Sequence, residues 1–244
     1  NSEGYPNYDL CQLACKVSAK RRFPKFCFLD APFNLQYYKE GDYDTEVSYM
    51  GCRTRVMGNV HDRTHETTCG RGNLSFTSIN LPRIAINAHG NVEWFFEELE
   101  RKVDLVIEQL LERFKIQAAK KVRNYPFLMG QGVWLDSDKI SPDEKVGEVI
   151  KHGTLTIGFI GLAETLVALI GQHHGQSEYA QNLGLEIIGH MRARMDAESE
   201  KRHLNFSLIA TPAEGLSGRF VKIDRERFGT IPGVTDREYY TNSF

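Results

Sequence analysis

A thiol on a glycine turn between arginines is where this chain first offers chemistry: Met50-Gly51-Cys52-Arg53-Thr54, with Arg55 just beyond. Gly51 can take backbone angles closed to other residues, which lets Cys52 stand at a loop tip. Arg53 and Arg55 would favour a thiolate there. The same residue type also allows a plainer reading, since free cysteine is commonly buried and inert. Twenty-one positions after Cys52 comes Asn73, within Arg71-Gly72-Asn73-Leu74.

A second candidate lies at Thr211-Pro212-Ala213-Glu214-Gly215-Leu216-Ser217. Thr211 fits an N-cap, Pro212 the first helical position, and Glu214 the third residue of a capping box. The free N–H groups of a helix start that follows a buried strand also bind phosphate well. Gly215 would let such a ligand approach the backbone, whereas Glu214 would repel it unless its side chain turned away. Geometry and anion binding are both open at this point. A third group, His61, Asp62, His65 and Glu66, has the donor types of a metal site. Its polar, glycine-punctuated surroundings over 56–72 read instead as a solvated surface loop.

These residues need elements to position them. Leu74 to Leu81 alternates apolar and small polar residues ahead of Pro82, a strand pattern. From Val92 to Arg123 the apolar residues recur at helical spacing, with Asn91 as the expected cap. A short buried strand is predicted between Gly153 and Gly161, then a helix from Leu162 to Ile170 and a turn at 171–175. A second helix from about Ser177 to Ala197 follows, on Tyr179, Leu183, Ile187, Met191 and Met195, and then a strand from Asn205 to Ala210. Strands alternating with helices argue for α/β architecture with a mostly parallel sheet. The aromatic-rich first 48 residues, broken by Pro24, Pro32 and Gly41-Asp42, read as irregular chain or short elements, and Cys27-Phe28-Leu29 could form a short buried strand.

Composition narrows the function classes. A net charge of −2 over 244 residues gives no electrostatic footprint for nucleic acid or an anionic membrane. Five cysteines, at 11, 15, 27, 52 and 69, do not describe a disulfide framework, and Cys11-x-x-x-Cys15 has the wrong spacing for a zinc knuckle. No apolar signal segment opens the chain, so a reducing, cytoplasmic location is expected.

Taken in order, several segments resemble the anaerobic (class III) ribonucleoside triphosphate reductases, a glycyl-radical family. They are Tyr49–Val56, Gly70–Leu74, Ile79–Ile86, Ile157–Leu162, Phe206–Glu214, and Gly233–Arg237 through Tyr240–Phe244. The resemblance implies part of a ten-stranded α/β barrel, two parallel five-stranded halves set antiparallel around a central finger loop, here about 48–56. Residues 1–244 would be one unit, the C-terminal portion of that barrel. Cys52 matches the finger-tip cysteine that becomes a thiyl radical and takes the ribose 3′-hydrogen. Asn73 matches the asparagine that hydrogen-bonds the substrate. Thr211, Pro212, Ala213, Glu214, Gly215 and Leu216 match the segment that holds its phosphates.

The resemblance also implies what lies elsewhere in such a protein. An N-terminal ATP-binding region is expected. So is a C-terminal part with zinc-binding cysteines and the radical glycine, which an iron–sulfur/S-adenosylmethionine activating enzyme generates. ATP and deoxynucleotide effectors, a formate or thioredoxin-like reductant, and a homodimer complete the picture. This segment alone would be inactive, binding neither metal nor cofactor. Cys69 has no assigned counterpart and reads as a structural or surface cysteine. Two rival readings remain: a formate-lyase type of glycyl-radical enzyme, and a non-catalytic nucleotide-binding fragment.

Overall fold

The computed structural model describes residues 4–21, 23–24, 26–47, 49–50, 54–55, 58–66 and 69–243. Among the described residues the first strands are preceded by α1 (Tyr8–Arg21), the single turn α2 (Pro32–Leu35) and a 3-10 turn at Tyr43–Thr45. A short antiparallel hairpin follows, β1 (Tyr49–Met50) with β2 (Thr54–Arg55). The body is a parallel sheet of β3 (Asn73–Asn80), β4 (Thr154–Ile160) and β5 (Asn205–Ala210), in that spatial order. Helices α3 (Leu81–Ala88) and α4 (Val92–Ala118) follow β3. Helices α5 (Leu162–Ile170) and α6 (Glu178–Arg202) join β4 to β5, and α7 (Glu214–Phe228) follows β5. This is the α/β class with a parallel sheet that the alternation predicts.

One face of the sheet carries the core. Ile79 of β3, Leu155 and Ile157 of β4 and Phe206 of β5 pack with Phe95, Leu99, Val103, Ile107 and Leu110 of α4. Ile187, Met191 and Met195 of α6 close the other side. The helical spacing in α4 and α6 is what brings these residues onto single stripes. Asn91 accepts from Trp94 N and Ser177 from Ala180 N, so both helices start on side-chain caps. Tyr179, expected on the α6 stripe, is exposed, because α6 enters the core only at Ala180 and Leu183.

Several boundaries differ from the sequence reading, among them α6, which runs on to Arg202 past the expected Ala197. Helix α4 stops at Ala118, short of Arg123, because the chain turns to pair elsewhere: Val122 N donates to Glu144 O and Arg123 N to Pro142 O. Residues 8–21 form a helix of fourteen residues where irregular chain was expected. None of its residues is buried, so no apolar stripe advertises it. Good helix formers do, with Asp9 in the first turn and Lys20 and Arg21 in the last suiting the helix dipole. Cys27-Phe28-Leu29 is no strand: Phe28 and Leu29 are exposed, and Phe28 O accepts from the buried Asn34 amide at 2.6 Å.

Candidate active site

The face of the sheet opposite the core carries polar clusters at its two ends, with Phe76 and Ile209 beside them. A parallel sheet usually buries apolar residues on both sides, yet β4 alternates Leu155, Ile157 and Phe159 toward the core with Thr154, Thr156 and Gly158 away from it. Two polar rows cross the three strands here. At the amino ends, Thr156 Oγ1 donates to Asn73 Oδ1 (3.2 Å) and lies 2.8 Å from Ser207 Oγ. Thr156 is buried and Asn73 exposed. With Oδ1 engaged, the Asn73 amide NH₂ is left to donate, and no acceptor among the described residues takes it. Thr156 and Ser207 escaped the sequence reading, although the alternation of small polar residues in β4 was the available signal.

The second row lies nearer the carboxyl ends, where Ser78 Oγ and Thr211 Oγ1 meet at 2.7 Å across β4. Gly158 makes this possible. A Cβ at that position would stand 2.1 Å from Thr211 Oγ1 and 2.7 Å from Ser78 Oγ. Thr211 therefore does not cap the next helix, as its spacing suggested. Its N–H donates to Phe159 O, extending the strand ladder, and its hydroxyl belongs to Ser78. Ala213 occupies the N-cap position of α7, and no side chain caps that helix. The capping-box explanation of Glu214 falls with it. The first N–H groups of α7 are left for solvent or ligand, and a Cβ on Gly215 would meet nothing within 4 Å.

The hairpin β1–β2 frames the thiol motif, with Met50 paired to Thr54 and Tyr49 to Arg55. Gly51, Cys52 and Arg53 lie outside the described residues. Arg55 hydrogen-bonds Asn34 Oδ1 and stacks over Phe33, 5.0 Å from the ring centre. Tyr49 OH donates to Cys27 Sγ at 3.2 Å. Arg55 also lines a cavity of about 460 Å³ with Asn59, Thr154, Asn205 and Ser207, so the hairpin stands over the amino ends of β4 and β5.

Below that cavity, the loop expected to be solvated is partly interior. Asn59 is fully buried. Its amide donates to His152 Nδ1 (3.0 Å) and its Oδ1 accepts from Asn205 Nδ2 (3.1 Å). His152 Nε2 then donates to Asp136 Oδ2 at 3.2 Å. Burial keeps the pKa of His152 below the ordinary histidine value, despite the opposing pull of Asp136. Arg71, whose Nε donates to His152 O at 2.8 Å, is pushed down to about 10 by burial. This knot holds the residues leading into Asn73. Within the loop, Asp62 pairs with His65 at 2.5 Å, and its carboxyl is held well below the usual range, chiefly by the Thr64 hydroxyl. Among the described residues no group of three or more His, Cys, Asp or Glu is placed to hold a metal ion. Cys69 is exposed, and burial followed by Asp44 pushes its thiol pKa up.

Solved structures of similar shape are anaerobic ribonucleotide reductases. One from Thermotoga maritima with citrate in the active site superposes with a TM-score of 0.57 at 20% identity, over 71% of this chain and 29% of that one. Another from the same organism, in complex with dATP and CTP, gives 0.54 at 18% identity, over 74% and 28%. The parallel sheet and its helices are thus part of the α/β fold of these reductases. The chain belongs to the anaerobic ribonucleoside-triphosphate reductase family, whose model matches residues 1–244. The Escherichia coli anaerobic ribonucleoside-triphosphate reductase is 34% identical over 247 residues, covering 100% of this chain and 33% of that protein. The chain therefore spans about a third of the length of such relatives. No helix among the described residues is long and apolar enough to cross a membrane.

Proposed function

We propose that this chain is the part of an anaerobic ribonucleoside-triphosphate reductase that holds the ribonucleotide and carries its hydrogen-abstracting thiol. One observation supports this above the rest: on the sheet face opposite the core, polar groups gather at both ends, Asn73–Thr156–Ser207 at one and Ser78–Thr211 with the uncapped start of α7 at the other. Ser207 of β5 and Thr211, one residue past its end, are four residues apart, a span of about 13 Å at strand rise. That length suits a nucleoside triphosphate lying along the strand, with sugar beside Asn73–Thr156–Ser207 and far phosphates at Thr211–Leu216. The helix-start N–H groups there favour phosphate, and Gly215 leaves room for it.

Cys52, which falls between β1 and β2 in the sequence, takes the 3′-hydrogen as a thiyl radical. The C–H bond breaks, an S–H bond forms, and the unpaired electron moves to the sugar. The Asn73 amide, its carbonyl fixed by Thr156, presents donors to the ribose hydroxyls. It orients the 2′-hydroxyl but supplies no proton for its loss as water. The two electrons that complete the reduction come from formate or a thioredoxin-like dithiol. A glycyl radical supplies the oxidation of Cys52. Its installation calls for a radical S-adenosylmethionine activating enzyme, and a zinc site accompanies the radical glycine. ATP and deoxynucleotide effectors and a homodimer accompany this reading; a solved relative binds dATP and CTP.

Replacing Cys52 in the complete, activated reductase tests this assignment. Cys52→Ser retains ribonucleoside triphosphate binding and makes no deoxynucleotide. Appreciable turnover by the variant would remove Cys52 from the reaction.

A further inference from the structure

Beyond α7 the chain doubles back, and residues 240–243 cross the carboxyl ends of β4 and β5. Gly161 N, at the end of β4, donates to Thr241 O at 2.7 Å, and Ser243 N donates to Thr211 O at 3.3 Å. Ligands of parallel α/β sheets bind outside the carboxyl ends of the strands. This strap therefore borders the crevice that the start of α7 faces. Tyr240, fully buried, packs with Ile160, Ala213 and Val221, which fixes the strap on α7. The Ser243 hydroxyl is out of solvent and has no hydrogen-bond partner among the described residues.

Two carboxylates with no exposed surface hold the strap from either side. Asp224 of α7 accepts from Tyr240 OH (2.9 Å), Asn80 Nδ2 (2.8 Å) and Arg83 Nε (2.6 Å), tying the strap to the end of β3 and to α3. Burial and the neighbouring Asp224 push the Tyr240 pKa upward, so its hydroxyl stays protonated as the donor. Glu164, in the first turn of α5, accepts from Thr241 N (3.0 Å), Thr241 Oγ1 (2.9 Å) and Arg237 Nη1. A buried charge is costly unless its partners satisfy it. Two of them converging on one short irregular segment mark a place where position matters more than stability alone requires.

We propose that Glu164 and Asp224 are positioning residues that hold strap 240–243 as the second wall of the phosphate site at the start of α7. This rests on the reading of Thr211–Leu216 as that site. Neither carboxylate touches the substrate. Each fixes backbone and hydroxyl groups of the strap against Thr211, so that the anion meets a formed pocket instead of an open helix end. Loss of either wall tie weakens phosphate binding and leaves the radical chemistry at the far end of the sheet face intact.

The test uses the complete, activated reductase with two readouts: steady-state kinetics with a ribonucleoside triphosphate, and calorimetric binding of inorganic tripolyphosphate. Glu164→Gln and Asp224→Asn should each raise KM and the tripolyphosphate Kd by about tenfold, the scale of one charge-assisted hydrogen bond. Their kcat should change by less than about twofold, since only binding is altered. Should either variant fold poorly, Tyr240→Phe and Thr241→Val remove the same ties at lesser cost, and a rise of several-fold is expected. Gly215→Asp separates the two levels of the argument, because it sets a carboxylate at the helix start where an acid also suits the helix. Tripolyphosphate binding indifferent to Gly215→Asp overturns the phosphate site itself. Binding sensitive to Gly215→Asp but unchanged in the strap variants overturns the strap alone, as does a fall in kcat at unchanged KM.

Discussion

At the amino ends of β3–β5 the polar sheet face is made of three small neutral side chains. Asn73 is exposed and held by one hydrogen bond of 3.2 Å. At the carboxyl ends the same face is closed by a bond across Gly158 and by two buried carboxylates that tie down a strap. One end leaves the Asn73 donors on an exposed side chain, and the other sets its free groups, the first N–H groups of α7 and the Ser243 hydroxyl, in a tied-down frame. The contrast suits a nucleotide held firmly by its phosphates while the sugar end meets a reactive thiol. A reacting end needs groups that can follow changing charge, whereas an anchoring end gains from being rigid before the ligand arrives.

Removing the exposed amide should break the contrast most sharply. Asn73→Ala in the complete enzyme is expected to lower kcat by about 10²–10³-fold, the usual cost of an active-site donor, with little change in KM. Near wild-type turnover would mean that the amino end is not where the reaction occurs. Gly158→Ala strikes the other row. Its methyl group would displace Thr211 and Ser78, whose oxygens stand 2.1 and 2.7 Å from the new atom. Overpacking of this kind costs about 1–3 kcal/mol, read as a lower urea midpoint at unchanged m-value. A variant as stable as wild type would show that the row bends freely.

A smaller effect distinguishes the two ends by kind. Thr156→Val removes the hydroxyl between Asn73 and Ser207 with little change of shape. It should cost about 1 kcal/mol of stability and lower kcat several-fold at unchanged KM, the reverse of the pattern expected for Asp224→Asn. The least effect comes from acid. His152 and His61 both have pKa values held below the histidine norm, His152 mainly by burial. Both therefore bind protons more readily unfolded than folded. Their stabilisation is present above the unfolded value of about 6.5 and is lost as pH falls below it toward the depressed folded values. Amide protection factors at 58–65 and 150–153, corrected for the intrinsic rate at each pH, should fall between about pH 6.5 and 5 while those of the strap hold, and His152→Gln should flatten that dependence. Equal loosening at both ends would deny that the knot beneath Asn73 is separate.

How much of this was legible beforehand varies with the range of the interaction. Strands β3, β4 and β5, helices α5 and α6, and the cap Asn91 follow from neighbours three or four residues apart or from strict alternation. Helix α1 was missed because it buries nothing, and periodicity reports only burial. The candidate site divides in the same way. Asn73 and the Thr211 segment were visible as motifs, Cys52 too, although its tip lies outside the described residues. Thr156 and Ser207 gave no motif, being ordinary strand residues until register sets them beside Asn73.

The amino-acid sequence by itself determined the family, the α/β alternation and the order of the elements, because short-range patterns and matched motifs survive without coordinates. Tertiary structure decided which partner each polar group takes. Thr211 looked like a cap for the helix beside it and instead bonds a serine 133 positions away, through the gap left by a glycine on a third strand. Glu164 and Asp224 became clamps on one strap only because 77 and 16 residues of chain return to them. Such pairings depend on strand register and on where the chain folds back, and neither is written in any local stretch of residues.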